Sequence, residues 1–186
     1  MARGIWTVPN EITFLRLGFL PLFIILIHSE YYKWALAVLI LAGLTDGIDG
    51  LLARLLNQKS SLGAILDPVA DKLLLSSSFF VLALKGKLHW WLTILVLSRD
   101  VLILTIAAVI IVVAGYRPFP PSLFGKFTTT SQIVLVFAVV LTAVTSQHWL
   151  VQLTRLLIIF VAGLTVFSGL HYSVVMARRL SSSSQP

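Results

Sequence analysis

Six apolar stretches, each close to the length of a bilayer crossing, divide almost the whole of this 186-residue chain between them. A helix that crosses a membrane needs about 20 mostly apolar residues. The stretches run from about Glu11 to His28, Lys33 to Leu56, Pro68 to Leu84, Trp90 to Gly115, Ser122 to Val144 and Trp149 to Met176. Short segments with breakers or charge separate them: "HSEYYK", "NQKSSLG", "KGKLH", "YRPFPP" and "SQH". Composition agrees, with 58% hydrophobic residues, 11% charged residues and a mean hydropathy of +0.98. A soluble domain carries about a quarter charged residues. The expectation is an all-α integral membrane protein of six transmembrane helices. One such domain fills residues 1–178, and the serine-rich segment 179–186 is a disordered polar tail.

The formal charge of +7 comes from 14 basic residues against 7 acidic ones. In a membrane chain, basic residues flank the spans and face anionic lipid, so membrane lipid is the expected partner and nucleic acid is not. Six spans put Arg3, Arg54, Lys59, Arg117, Lys126, Arg178 and Arg179 on one side, against Lys33, Lys85 and Lys87 on the other. That asymmetry predicts both termini in the cytoplasm. Trp34, Trp90, Trp91 and Trp149 fall near span ends on the opposite side, as an aromatic belt does. The opening "MARGIWTVPN" does not read as a cleavable signal or a transit peptide, which favours a bacterial cytoplasmic membrane. Cysteine is absent, so there is neither a disulfide framework nor a thiolate site.

Four of the seven acidic residues crowd into "LTDGIDGLLARLLNQKSSLGAILDPVADKLLL". Asp46 and Asp49 are spaced i, i+3, and Asp67 and Asp71 are spaced i, i+4. On helices each pair shares a face. The short connection brings the two pairs to one cytoplasmic membrane boundary, where unpaired carboxylates would repel one another. A structural cluster with Arg54 or Lys72 leaves most of that charge uncompensated. Bound divalent metal compensates it. Carboxylate oxygens are hard ligands, so Mg²⁺ or Mn²⁺ is the expected ion, and four carboxylates suffice for two. Such a pair suits displacement at phosphorus. Gly47 and Gly50 let a bulky group approach the helix backbone, Ala53 keeps that face low, and Arg54 one turn on is placed to hold a phosphate.

Written as a pattern, Asp46 to Asp71 reads D-x2-D-G-x2-A-R-x8-G-x3-D-x3-D. It resembles the signature of the CDP-alcohol phosphotransferase family at every fixed position. "VPNEITFLRL" and "GKFTTTSQ" resemble that family's entries to its first and fifth spans. The resemblance implies six membrane helices and a cytoplasm-facing site. It implies transfer of a phosphatidyl group from CDP-diacylglycerol to an alcohol, with release of CMP. Asp46, Asp49, Asp67 and Asp71 would bind two Mg²⁺ or Mn²⁺ ions. Asp71 would also be the catalytic base, and Gly50, Ala53, Arg54 and Gly63 would line the CDP site. Homodimerisation is a further implication.

The acceptor is read as glycerol 3-phosphate, because "LDPVADK" resembles bacterial phosphatidylglycerophosphate synthases. Arg99 and Lys126 are the candidate cations for its phosphate. The alternative is phosphatidylglycerol, as in this family's cardiolipin synthases, which "LAGLTDGIDG" and "SRDVLIL" also resemble. Thr128 favours it, standing where glycerophosphate enzymes often carry a second lysine. A membrane ion transporter is a remote alternative, since acids in membrane helices also mark ion paths. The four histidines, Arg16 and Arg155 carry no assigned role.

Overall fold

The computed structural model describes residues 8–55, 63–114, 123–145 and 147–183, with side chains described in 18–45, 72–106, 124–145 and 147–175. Among the described residues the chain is all helix, in six elements. These are α1 (Val8–His28), α2 (Tyr32–Leu55), α3 (Gly63–Leu84), α4 (Trp90–Ala114), α5 (Leu123–Thr145) and α6 (His148–Ser183). The apolar stretches of the sequence reappear as these helices with ends shifted by a few residues. The larger differences are at α3, which begins at Gly63 rather than Pro68, and α6, which continues to Ser183 past the boundary placed at 178. Two helices are long and apolar enough to cross a membrane by the described residues, over Phe124–Thr145 and His148–Val175. Exposed Leu156, Ile159, Phe160 and Leu170 on α6 suit a hydrocarbon solvent better than water.

Backbone contacts divide the chain into two units. The first comprises Met1–Leu88 and Val136–Ser146. Within it α1 packs on both α2 and α3. Phe23 and Ile27 of α1, Ala35, Val38 and Ala42 of α2, and Leu75, Phe79 and Leu82 of α3 are buried.

Two helix ends in this unit close in the same way. Past α3, Gly86 takes φ 65°. Its N–H donates to Ala83 O at 3.0 Å, and the Lys87 N–H donates to Leu82 O at 2.9 Å. Past α1, Glu30 takes φ 64°. Its N–H donates to Ile27 O at 3.1 Å, and the Tyr31 N–H donates to Leu26 O at 2.9 Å. Both are Schellman caps, which satisfy carbonyls the helix leaves open. Glycine enters the left-handed region freely, whereas a glutamate there is strained by about 1–2 kcal/mol. The two caps face each other: Lys85 Nζ lies 3.6 Å from the Glu30 carboxylate. Lys87 Nζ sits 5.1 Å from the centre of the Tyr32 ring.

The second unit comprises His89–Leu135 and Gln147–Pro186. Here α4 packs on α6. Leu92 and Val96 of α4, Leu135 of α5, and Leu150 and Val161 of α6 are buried apolar residues. Polar side chains are buried with them: Arg99, Asp100, Thr128, Gln132, Thr165 and Ser168.

Candidate active site

The signature divides between two helices of the first unit. Asp46, Asp49, Gly50, Ala53 and Arg54 fall on the last turns of α2, and Gly63, Asp67 and Asp71 on the first turns of α3. Helical backbone at Asp46 and Asp49, and at Asp67 and Asp71, gives each pair the same-face register that its spacing demands. Both helices pack on α1. The side chains of these eight residues lie outside the described ones, and so do residues 56–62. One residue before Asp46, the Thr45 hydroxyl lies 2.9 Å from Ala42 O and 3.0 Å from Leu41 O of its own helix. Its proton is thereby used within α2.

Among the described residues no group of three or more His, Cys, Asp or Glu could hold a metal ion. The signature aspartates stand apart from that statement. Their donor set, four carboxylates and no nitrogen or sulfur, is the hard-oxygen chemistry that suits Mg²⁺ or Mn²⁺.

The two acceptor-site candidates fall on α4 and α5, in differing surroundings. Arg99 is 7% exposed and Asp100 5%. Arg99 Nη1 donates to Asp100 Oδ1 at 2.8 Å, so the guanidinium is charge-neutralised within its own helix. Its Nη2 donates to Ser168 Oγ of α6 at 2.8 Å. A Cβ built on Gly169 would lie 3.6 Å from Arg99 Cγ, so the arginine stem runs along α6 at its glycine. Lys126, by contrast, is exposed on α5. Thr128 is fully buried and donates to Phe124 O at 2.8 Å, so its hydroxyl proton goes to its own helix.

One turn from Ser168, Thr165 accepts from Gln132 Nε2 at 3.5 Å. Phe124, Phe167 and His171 form an aromatic cluster between α5 and α6, with His171 5.0 Å from Phe124 and 6.2 Å from Phe167 between ring centres. Ser168, Thr165 and Gln132 were not singled out from the sequence. Their signal is nonetheless present, because "TVFSGLH" places Thr165, Ser168 and His171 three apart in an otherwise apolar helix. Of the residues without an assigned role, His28, His89, His148 and Arg155 are exposed, and the side chain of Arg16 lies outside the described ones.

A helical chain carrying this aspartate signature across two neighbouring elements defines a class, and comparison with known proteins agrees. The family model for CDP-alcohol phosphatidyltransferase matches residues 6–169, and the chain belongs to that family. It is 36% identical over 184 residues to the "Cardiolipin synthase (CMP-forming)" of Streptomyces coelicolor, covering 94% of this chain and 84% of that one. It is 39% identical over 153 residues to the rat protein of the same name, covering 72% of this chain and 49% of the relative. With the "Probable phosphatidylglycerophosphate synthase" of Mycobacterium tuberculosis it shares 33% identity over 173 residues, 89% of this chain and 79% of the relative. The chain spans about half the length of several curated relatives it matches, including 47% of a Mycobacterium bovis protein.

Proposed function

We propose that this protein transfers the phosphatidyl group of CDP-diacylglycerol to the free primary hydroxyl of phosphatidylglycerol, forming cardiolipin and releasing CMP. The observation that carries the reading is the complete signature from Asp46 to Asp71, laid in helical register on the adjoining ends of α2 and α3. Asp46, Asp49, Asp67 and Asp71 would hold two Mg²⁺ or Mn²⁺ ions. When bound, such ions would supply charge stabilisation for displacement at phosphorus. Arg54 binds a phosphate of the CDP moiety, while Gly50, Ala53 and Gly63 keep its approach open. Asp71 takes the proton of the acceptor hydroxyl. The freed oxygen forms a bond to the phosphatidyl phosphorus as the bond from that phosphorus to the bridging diphosphate oxygen breaks. CMP carries away the negative charge.

Two features support a phosphodiester acceptor over a phosphomonoester. Arg99 is neutralised by Asp100, and Thr128 supplies no cation. The names of the Streptomyces and rat relatives point the same way. Glycerol 3-phosphate, the acceptor read first from the sequence, is the second reading. The mycobacterial relative's name favours it, as does Lys126, exposed on α5 where a phosphomonoester would find a cation.

The site faces the cytoplasm of a bacterial membrane, with all six helices spanning it and both termini inside. The protein works as a homodimer. An acceptor screen tests the function. Purified protein receives CDP-diacylglycerol and Mg²⁺ with phosphatidylglycerol or glycerol 3-phosphate, and CMP and lipid product are followed. Cardiolipin formation is the expected result. Product only from glycerol 3-phosphate would overturn the acceptor, and no CMP with any alcohol would overturn the activity.

A further inference from the structure

The two ends of the first unit differ in charge. Asp46 comes fourteen residues after Tyr32 on α2, and Asp71 comes thirteen residues before Leu84 on α3. About 20 Å of helix therefore separates the aspartate signature from the turns at the other end. Those turns, residues 28–32 and 84–88, meet through Lys85 Nζ, 3.6 Å from the Glu30 carboxylate, and Lys87 Nζ, 5.1 Å from the centre of the Tyr32 ring. Lys33, Lys85 and Lys87 stand there against one acid, Glu30, and His28 is neutral at pH 7. Two positive charges are left over.

Lys87 is the cation with donors to spare. Among the described residues its one charge-related contact is the Tyr32 ring, which holds the ammonium by its face and leaves N–H groups for an oxygen ligand. Its backbone is fixed by the Schellman cap, with the Lys87 N–H on Leu82 O at 2.9 Å and Gly86 at φ 65°. A Cβ built on Gly86 would meet nothing within 4 Å, so the space between the two lysines is open. Apolar surface continues from this basic rim. Phe80 and Leu84, one turn apart on α3, are exposed, and so are Ile25 of α1 and Trp34 of α2. An ammonium binds phosphate as a point charge, and exposed apolar side chains suit hydrocarbon. A free phosphate would use only the rim, and a zwitterionic lipid would bring its own cation to it. An anionic phospholipid fits both parts.

We propose that the turn closing α3, Lys85-Gly86-Lys87, binds the headgroup phosphate of an anionic phospholipid, with an acyl chain along Phe80 and Leu84. The inference rests on the membrane setting of these helices and not on the proposed reaction. Its distance from the signature makes this lipid a bound partner of the fold rather than the reacting molecule.

The test is a lipid titration of the full chain in neutral detergent, followed by native mass spectrometry. Phosphatidylmethanol, which is anionic and has no hydroxyl to accept a phosphatidyl group, is set against phosphatidylcholine of the same chains. The wild type should bind phosphatidylmethanol at least about fivefold more tightly, the ratio one lysine supplies against an anionic headgroup. Lys87→Gln should weaken phosphatidylmethanol binding about fivefold and leave phosphatidylcholine binding unchanged. Lys87→Arg should bind as the wild type does, because a guanidinium also sits on a ring face. Arg155→Gln removes the same charge from exposed α6 and should change neither affinity. Equal binding of the two lipids by the wild type overturns the site. An undiminished preference in Lys87→Gln, or an equal loss in Arg155→Gln, does so too. Displacement of the lipid by dimethyl phosphate at the lipid's own concentration would overturn the phospholipid as the ligand. CMP release by Lys87→Gln should match the wild type. Absence of CMP release from both would overturn the proposed reaction and leave a measured lipid preference standing.

Discussion

The guanidinium of Arg99 on α4 donates to the hydroxyl of Ser168 on α6 at 2.8 Å, while its other terminal nitrogen holds Asp100 at 2.8 Å. One arginine thus neutralises an acid of its own helix and ties that helix to another. In an apolar interior this arrangement is sensitive to the loss of a single partner. Arg99→Met breaks the buried ion pair with Asp100 and the bond to Ser168 together, and should lower stability by about 3–5 kcal/mol. Arg99→Met combined with Asp100→Leu should recover a large part of that loss, because the buried ion pair is then removed as a unit. Denaturant unfolding in detergent micelles of the two single variants and the double variant measures the coupling directly.

Gly169 sets how closely the arginine stem can lie. An added methyl group would meet Arg99 Cγ at 3.6 Å, an ordinary van der Waals contact. Gly169→Ala should therefore fold with stability within about 1 kcal/mol of wild type, helped by the better helix propensity of alanine. Gly169→Leu must displace the stem and should cost about 1–3 kcal/mol, as overpacking does. A pair of melting curves distinguishes the two.

Glu30 occupies the left-handed position of its Schellman cap with φ 64°. Its carboxylate is well exposed, at 66%, and the 3.6 Å pair with Lys85 gains little from solvated charges. Strain outweighs the ion pair. Glu30→Gly should raise stability by about 0.5–1 kcal/mol once the flexibility of glycine in the unfolded chain is set against the relieved strain. Lys85→Ala should change it by less than about 1 kcal/mol. A fall in melting temperature for Glu30→Gly would show that the pair matters more than the backbone.

The carboxylate donor set predicts dependence on a hard divalent ion. Chelation should abolish CMP release, and Mg²⁺ or Mn²⁺ should restore it. Asp46→Asn and Asp67→Asn should weaken the metal requirement's affinity, raising the Mg²⁺ concentration for half-maximal rate. Titration of rate against free Mg²⁺ reads this. Activity that survives a strong chelator would contradict the assignment.

Much of this architecture was legible in the chain itself. Runs of apolar residues bounded by "HSEYYK" and "KGKLH" gave helix ends that fall within a few residues of His28, Tyr32, Leu84 and Trp90. The aspartate spacing was legible because helical periodicity alone puts such pairs on one face. Tertiary partners were not. Arg99 read as a phosphate ligand, since adjacency to Asp100 does not say which way either side chain turns. Its bond to Ser168 spans 69 residues, a separation no local pattern encodes. The cap at Glu30 was hidden for a different reason: "HSEYYK" holds no glycine to announce a left-handed residue, whereas "KGK" does. The polar stripe Thr165, Ser168 and His171 was visible as a period of three, but its meaning depended on what α4 and α5 bring to it.

The central claim is that Asp71 takes the acceptor proton in a metal-assisted phosphatidyl transfer. The most direct measurement is CMP release from CDP-diacylglycerol with phosphatidylglycerol as acceptor, at saturating Mg²⁺, for wild type and Asp71→Asn. The account predicts CMP and cardiolipin in equal amounts from the wild type. In the variant it predicts a rate lower by at least about 10²–10⁴-fold, the usual contribution of a positioned base, in a protein that still folds and inserts. Wild-type turnover by Asp71→Asn under the same conditions would contradict it.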